Sequence, residues 1–193
     1  MKVHLTTFNA KYIHTSLALR WLYVVNKEHF DLSFSEYTVK ENVSATADTI
    51  LAEGYDVVGI SVSIWNVEQS CELAVTLKKY NPNIVIIAGG PEVSYEPRFF
   101  LDNWEIDYIV SGEGEFVLGQ LLDALQNSEE VNVASVSSKS HISNKLARAD
   151  INELIKYPSP YQLDRDNSER KNRLAYFETS RGCPYSCQYC LSS

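Results

Sequence analysis

Short runs of β-branched and aromatic residues recur along the first half of the chain, at 3–8, 32–37, 57–62, 84–88 and 108–110. Gly, Asn, Asp or Pro bounds each run, as expected of strand ends. Val57-Val58-Gly59-Ile60, Ile84-Val85-Ile86-Ile87 and Tyr108-Ile109-Val110 are apolar without alternation. That pattern predicts strands buried on both faces, as in a parallel sheet covered by helices. The intervening segments follow helical spacing. Val43, Ala47, Ile50 and Leu51 make one apolar stripe; Val67, Cys71, Ala74 and Val75 make a second; Val117, Leu121, Ala124 and Leu125 make a third. Residues 17–25 are apolar nearly all round, which predicts a well-buried first helix. Asn66 followed by Gln69 predicts a capping box. A shorter turn is expected over 95–102.

Alternating strands and helices predict an α/β fold: a doubly wound, flavodoxin-like parallel sheet of five strands in the order 2-1-3-4-5. This domain would span 1–128. Beyond it, 131–137 and 141–146 flank Ser138-Lys139-Ser140 and predict a small β-hairpin. Residues 150–173 are polar, contain Pro158 and Pro160, and read as a linker; hairpin and linker together occupy 129–172. Leu174-Ala175-Tyr176-Phe177 predicts a new strand that opens a second domain, 173–193.

Composition narrows the function. The chain has 193 residues, 45% apolar and 22% charged, with a formal charge of −8. That balance suits a globular domain with a substantial core. An acidic chain without a basic cluster argues against nucleic acid as a partner. No apolar run approaches the roughly 18 residues of a membrane span. The first residues lack the apolar stretch of a signal peptide, so the expected location is the cytoplasm. Trp21, Trp65 and Trp104 read as packing residues, with Trp65 also placed to border a ligand. Glu28, Glu36, Glu41 and Glu53 read as solvated faces. Glu113 and Glu115 suit a helix start.

Ligands of open α/β sheets bind beyond the carboxyl ends of the strands, near the switch point. Those ends carry small residues here: Ser61 and Ser63, Gly89 and Gly90, Gly112 and Gly114. Glycines let a bulky ligand approach the backbone. The first strand ends in Thr7-Phe8-Asn9, without a G-x-G-x-x-G fingerprint and without the acidic pair of a receiver domain. Three of the four cysteines, Cys183, Cys187 and Cys190, form a C-x-x-x-C-x-x-C run after Arg181-Gly182. A structural zinc would need a fourth ligand, and His141 does not lie at finger spacing. A four-iron cluster on three thiolates instead leaves one iron open, and soft thiolates suit it. The remaining cysteine, Cys71, reads as core.

The cysteine run, with Tyr189 before its last member, resembles the radical S-adenosylmethionine (SAM) superfamily. The preceding layout resembles the cobalamin-binding domain found in one subclass of that superfamily, which includes Mg-protoporphyrin ester cyclase-like proteins and cobalamin-dependent methyltransferases. The resemblance rests on Ser61-x-Ser63, Ala88-Gly89-Gly90-Pro91-Glu92, Val110-Ser111-Gly112-Glu113-Gly114-Glu115 and the Pro158-to-Tyr161 linker. It implies that a corrin lies over the strand ends and that its nucleotide tail inserts between sheet and helices. Ser61, Ser63, Gly89, Gly90, Gly112 and Gly114 would then line the site. His14 is the candidate axial ligand, although the Asp and Gly of the D-x-H-x-x-G motif are missing around it. Cys183, Cys187 and Cys190 would hold a 4Fe–4S cluster whose open iron chelates SAM, with Tyr189 near the adenine. An electron donor such as flavodoxin or ferredoxin and an unknown substrate are the implied partners. Only the start of the second domain is visible, so the chain is expected to be catalytically incomplete, with its cysteine loop lacking a surface to fold against. The alternative is a flavodoxin-like docking module that binds no cobalamin.

Overall fold

The structure is a computed structural model that describes residues 1–166, 171–182 and 185. Its sheet has six strands in the order β2-β1-β3-β4-β5-β6. These are β1 (Lys2–Asn9), β2 (Asp31–Thr38), β3 (Val57–Ser61), β4 (Val85–Gly89), β5 (Tyr108–Val110) and β6 (Val136–Ser138). The first five are parallel, and β6 pairs antiparallel with β5. The doubly wound architecture is therefore as the hydrophobic pattern implies, with one strand more than expected.

Two helices, α1 (Leu17–Asn26) and α6 (Glu115–Gln126), cover one face. They pack Leu19, Leu118, Leu121 and Leu122 on Val3, Leu5, Val57 and Ile87. On the other face lie α2 (Val43–Ala52), α3 (Val67–Tyr80), α4 (Pro91–Tyr95) and α5 (Pro97–Asn103). Phe8, Ile50, Leu73, Leu77, Ile86 and Leu101 form that core. Each fully buried side chain of this size stabilises the fold by about 1.5–3 kcal/mol relative to exposure. Ser16 caps α1 by accepting from the Leu19 amide at 3.3 Å, and Asn42 caps α2 by accepting from Ala45 at 3.0 Å. Each such cap contributes about 1 kcal/mol. No helix among the described residues is long and apolar enough to cross a membrane.

Several sequence expectations are corrected. Asn66 makes no side-chain cap on α3. It is fully buried, and its Nδ2 donates to Thr7 Oγ1 (3.1 Å), Phe8 O (3.0 Å) and Ser61 O (3.2 Å), while its Oδ1 accepts from Ser63 N at 2.8 Å. It clamps β1 to β3 at their carboxyl ends. The hairpin forms only its turn: Ser138 and His141 exchange backbone bonds of 2.7 and 3.2 Å. The return segment makes no strand, and β6 pairs with the open edge of β5. Ala147 then bridges to Gly112. Residues 174–177 form no strand. Leu174 N donates to Ile13 O at 2.7 Å, and Thr15 Oγ1 donates to Leu174 O at 2.6 Å, so the segment is held against the loop after β1.

The polar stretch 150–173 is no free tether. It contains α7 (Ile151–Leu154), and a buried charge network fastens its second half to the domain. Arg20, on α1, pairs with Asp166 at 2.8 Å and approaches Glu36 at 3.8 Å; Arg173 reaches Glu36 at 3.2 Å. Glu36 also accepts from the Ser16 amide. Its side chain is only 1% exposed, so it belongs to no solvated face. Trp65, expected to pack, is 56% exposed.

Candidate functional site

The sheet carries two rows of facing residues beneath α1 and α6. Register aligns Leu5, Gly59, Ile87 and Tyr108 in the lower row. It aligns Ser61, Gly89 and Val110 in the upper row. Missing side chains at Gly59 and Gly89 leave a gap between sheet and helices. A cavity of about 650 Å³ fills it. Leu17, Ala18, Trp21 and Leu22 of α1 form one wall, while Gly114, Glu115 and Leu118 form another. The cavity opens at the carboxyl ends of β3, β4 and β5, on the α1 side of the switch point between β1 and β3. It is mostly apolar inside and polar at the mouth, the character of a site for a large ligand with an apolar tail.

Two glycines shape the mouth through backbone conformation. Gly90 has φ +107°, and a Cβ there would lie 2.3 Å from Val62 O. Gly112 has φ +91°, and a Cβ would lie 2.5 Å from Ala147 O. Neither position admits an L side chain without moving backbone. Both glycines are thus required by close backbone packing, of the turn after β4 on Val62 and of the turn after β5 on Ala147.

Of the residues singled out in the sequence, Ser61, Gly89, Gly90, Gly112 and Gly114 line this cavity. Ser63 does not; it is buried, with its amide on Asn66. His14 is also outside the lining. Its Nδ1 is hydrogen-bonded to Tyr176 Oη, and the two rings stack with centroids 6.0 Å apart. Cys183, Cys187, Cys190 and Tyr189 lie outside the described residues. Among the described residues no group of three His, Cys, Asp or Glu side chains is arranged to hold a metal. Cys71 is buried in the core, and burial pushes its thiol up to about 11, so it is inert as a nucleophile.

Sequence reasoning missed several lining residues. Gly59 was legible only as part of an apolar strand, and Trp21 only as a core aromatic. Glu178 and Arg181 reach the mouth from the far end of the chain. Arg181 meets Glu115 at 2.6 Å, Glu178 at 2.8 Å and Glu113 at 3.3 Å. Burial opposes its charge, but the hydrogen bonds and charges of Glu115 and then Glu178 outweigh burial and hold the guanidinium above its ordinary range. The chain after Arg181 turns sharply through Gly182, at φ +75°.

Comparison with known proteins bears on this cavity. Residues 3–122 match the model of the B12 binding domain family. The chain is 34% identical over 150 residues to the cobalamin-dependent radical SAM methyltransferase TokK of Streptomyces tokunonensis, covering 70% of this chain and 22% of that protein. It is 30% identical over 127 residues to the anaerobic magnesium-protoporphyrin IX monomethyl ester cyclase of Synechocystis sp., covering 62% of this chain and 26% of that one. Among solved structures, the cobalamin-dependent SAM radical enzyme OxsB, with aqua-cobalamin bound, superposes with a TM-score of 0.79 at 22% identity. That superposition covers 98% of this chain and 28% of OxsB. The chain thus spans about a quarter of the length of these three proteins.

Proposed function

Since the chain belongs to the B12 binding domain family, we propose that it is the cobalamin-holding module of a radical SAM enzyme of the methyltransferase and cyclase type. One observation carries this reading: an apolar slot, floored by Gly59, opens beneath a rim of Ser61, Gly89, Gly90 and Gly112 at the switch point of the sheet. The slot suits the nucleotide tail, and the rim of glycines and one serine suits the face of a corrin. When bound, the cofactor would supply a cobalt centre able to carry a methyl group or an electron.

The chain's own residues bind and orient. Gly90 and Gly112 let the turns after β4 and β5 pack closely on Val62 and Ala147, which fixes the shape of the rim. Asn66 locks Ser61 and β1 so that the rim keeps its shape. Leu17, Trp21 and Leu22 exclude water from the tail slot. His14 lies outside the cavity lining, so this reading gives it no part in holding the cofactor. By the cysteine motif, Cys183, Cys187 and Cys190 would carry a 4Fe–4S cluster with SAM on its open iron, Tyr189 beside the adenine, and a flavodoxin- or ferredoxin-like donor supplying electrons. The module would work in the cytoplasm together with a catalytic domain.

The test is retention of hydroxocobalamin. The chain is mixed with it, desalted, and its absorbance spectrum recorded. Stoichiometric retention with a perturbed corrin spectrum is expected. Colourless protein after desalting would mean a flavodoxin-like docking module instead.

A further inference from the structure

We propose that Arg181 is a positioning residue that fastens residues 178–182 to the wall of the cavity, so that ligand in the cavity and this segment stabilise each other. This rests on the cobalamin reading of the cavity.

Arg181 gathers three parts of the chain. Glu113 belongs to the turn after β5, Glu115 opens α6, and Glu178 lies in the segment that leads toward the cysteines. Glu113 Oε2 also accepts from the Ala149 amide at 2.8 Å, which brings in the strip beside Gly112. Both Glu178 and Arg181 form part of the cavity wall.

The attachment is strong because Glu115 depends on it. Glu115 is 6% exposed; its Oε1 is on Arg181, and its Oε2 has no hydrogen-bond partner among the described residues. A buried carboxylate is strongly destabilising once its cation is removed. The guanidinium fork can serve several carboxylates at once, which a lysine ammonium does less well.

Coupling follows from screening. A ligand entering the mouth displaces water beside these ion pairs, and their attraction grows as the local dielectric falls. The pairs are thus stronger with the cavity filled than empty. By linkage, whatever ligand does for the Arg181 contacts, those contacts do for ligand affinity.

The experiment is hydrogen–deuterium exchange over residues 173–182, with and without hydroxocobalamin, in the wild-type chain and in Arg181→Gln and Arg181→Lys. In the wild type, cobalamin should slow exchange across this segment. Arg181→Gln should weaken cobalamin binding about tenfold, within the usual range of coupling between sites, and abolish the protection. Arg181→Lys should recover part of both. Unchanged wild-type exchange despite tight cobalamin binding overturns the inference and leaves the cavity assignment standing. So does an Arg181→Gln chain that binds and protects like the wild type. If the wild type retains no cobalamin, the cavity assignment fails first and this inference with it. Should Arg181→Gln not fold, the wild-type comparison still decides, and Glu178→Gln, which removes one exposed arm of the contact, must reduce the protection.

Discussion

Arg20 and Asp166 lie 146 residues apart in the chain, yet pair at 2.8 Å with both side chains almost wholly buried. The pair joins α1 to the segment that leads toward the cysteines. Arg20 Nη1 also donates to Pro160 O at 3.2 Å, and its guanidinium stacks over the Tyr161 ring at 4.9 Å. Pro160, Tyr161 and Asp166 are therefore held on α1 through one buried guanidinium.

Removing one partner of such a pair leaves an uncompensated buried charge. Asp166→Ala should cost about 3 kcal/mol, the lower end for a broken buried pair, because Glu36 still faces Arg20 at 3.8 Å. Urea unfolding measures this, and limited proteolysis should cut 157–166 earlier. The double replacement Arg20→Met with Asp166→Leu should recover most of the loss, because the penalty comes from the stranded charge. If the single variant is as stable as the wild type, the network is not holding the segment.

Gly59 sits at the floor of the cavity, and a Cβ there would approach Leu5 Cδ2 to 2.6 Å. That atom is the flexible tip of a side chain, so the fold can yield. Gly59→Leu should destabilise the chain by about 1–3 kcal/mol through overpacking. Its remaining carbons enter the slot proposed for the nucleotide tail, and cobalamin affinity should fall at least about a hundredfold, roughly 2.7 kcal/mol. Spectroscopic titration of the folded variant reads this directly. Wild-type affinity would place the tail elsewhere.

The parallel sheet was legible because strands buried on both faces announce themselves as unbroken apolar runs, as in Val57-Val58-Gly59-Ile60. The glycine and serine rim was legible because the topology fixes which strand ends face a ligand. The hidden parts were those that distant residues decide. Asn66 looks like a helix cap until its amide is seen bridging Thr7, Phe8 and Ser61. Glu36 looks like a surface charge until Arg173 arrives from the far end of the chain and Arg20 faces it from α1. Ser138-Lys139-Ser140 does turn the chain, but the open edge of β5 chose the strand's partner. Periodicity carries no information about such pairings across sequence.

His14 lies outside the cavity lining. His14→Ala should therefore leave cobalamin affinity within about threefold, well under the 1.4 kcal/mol of a tenfold change. Reduced to Co(II), the bound cofactor should give the same electron paramagnetic resonance spectrum in both chains. Loss of nitrogen coupling in the variant alone would make His14 an axial ligand and require the loop after β1 to swing over the rim.

Stability should depend on pH through His4. Its ring is buried on β1, with Nδ1 2.8 Å from Ser33 Oγ and Nε2 2.7 Å from Ser35 Oγ, and it stacks on Tyr55 at 4.7 Å. Burial, then the charges of Arg165 and Lys2, lower its pKa from 6.5 to about 4. The unfolded chain therefore takes up a proton near pH 6.5, while the folded chain resists until about pH 4. Between those values the unfolded state binds more protons, so stability is complete above the window and falls as the pH drops through it. By linkage the loss between pH 7.5 and pH 4.5 is about 2–3 kcal/mol. Serine hydroxyls can turn to serve either ring tautomer, but an imidazolium would still be a buried cation beside Arg165 and Lys2, so reorientation does not remove the penalty. In His4→Gln this contribution disappears, and the difference between the two chains' urea-derived stabilities should change by that amount across the window. Parallel pH profiles for the two chains would show that His4 is accessible to protonation in the folded state and that this strand does not sense acid.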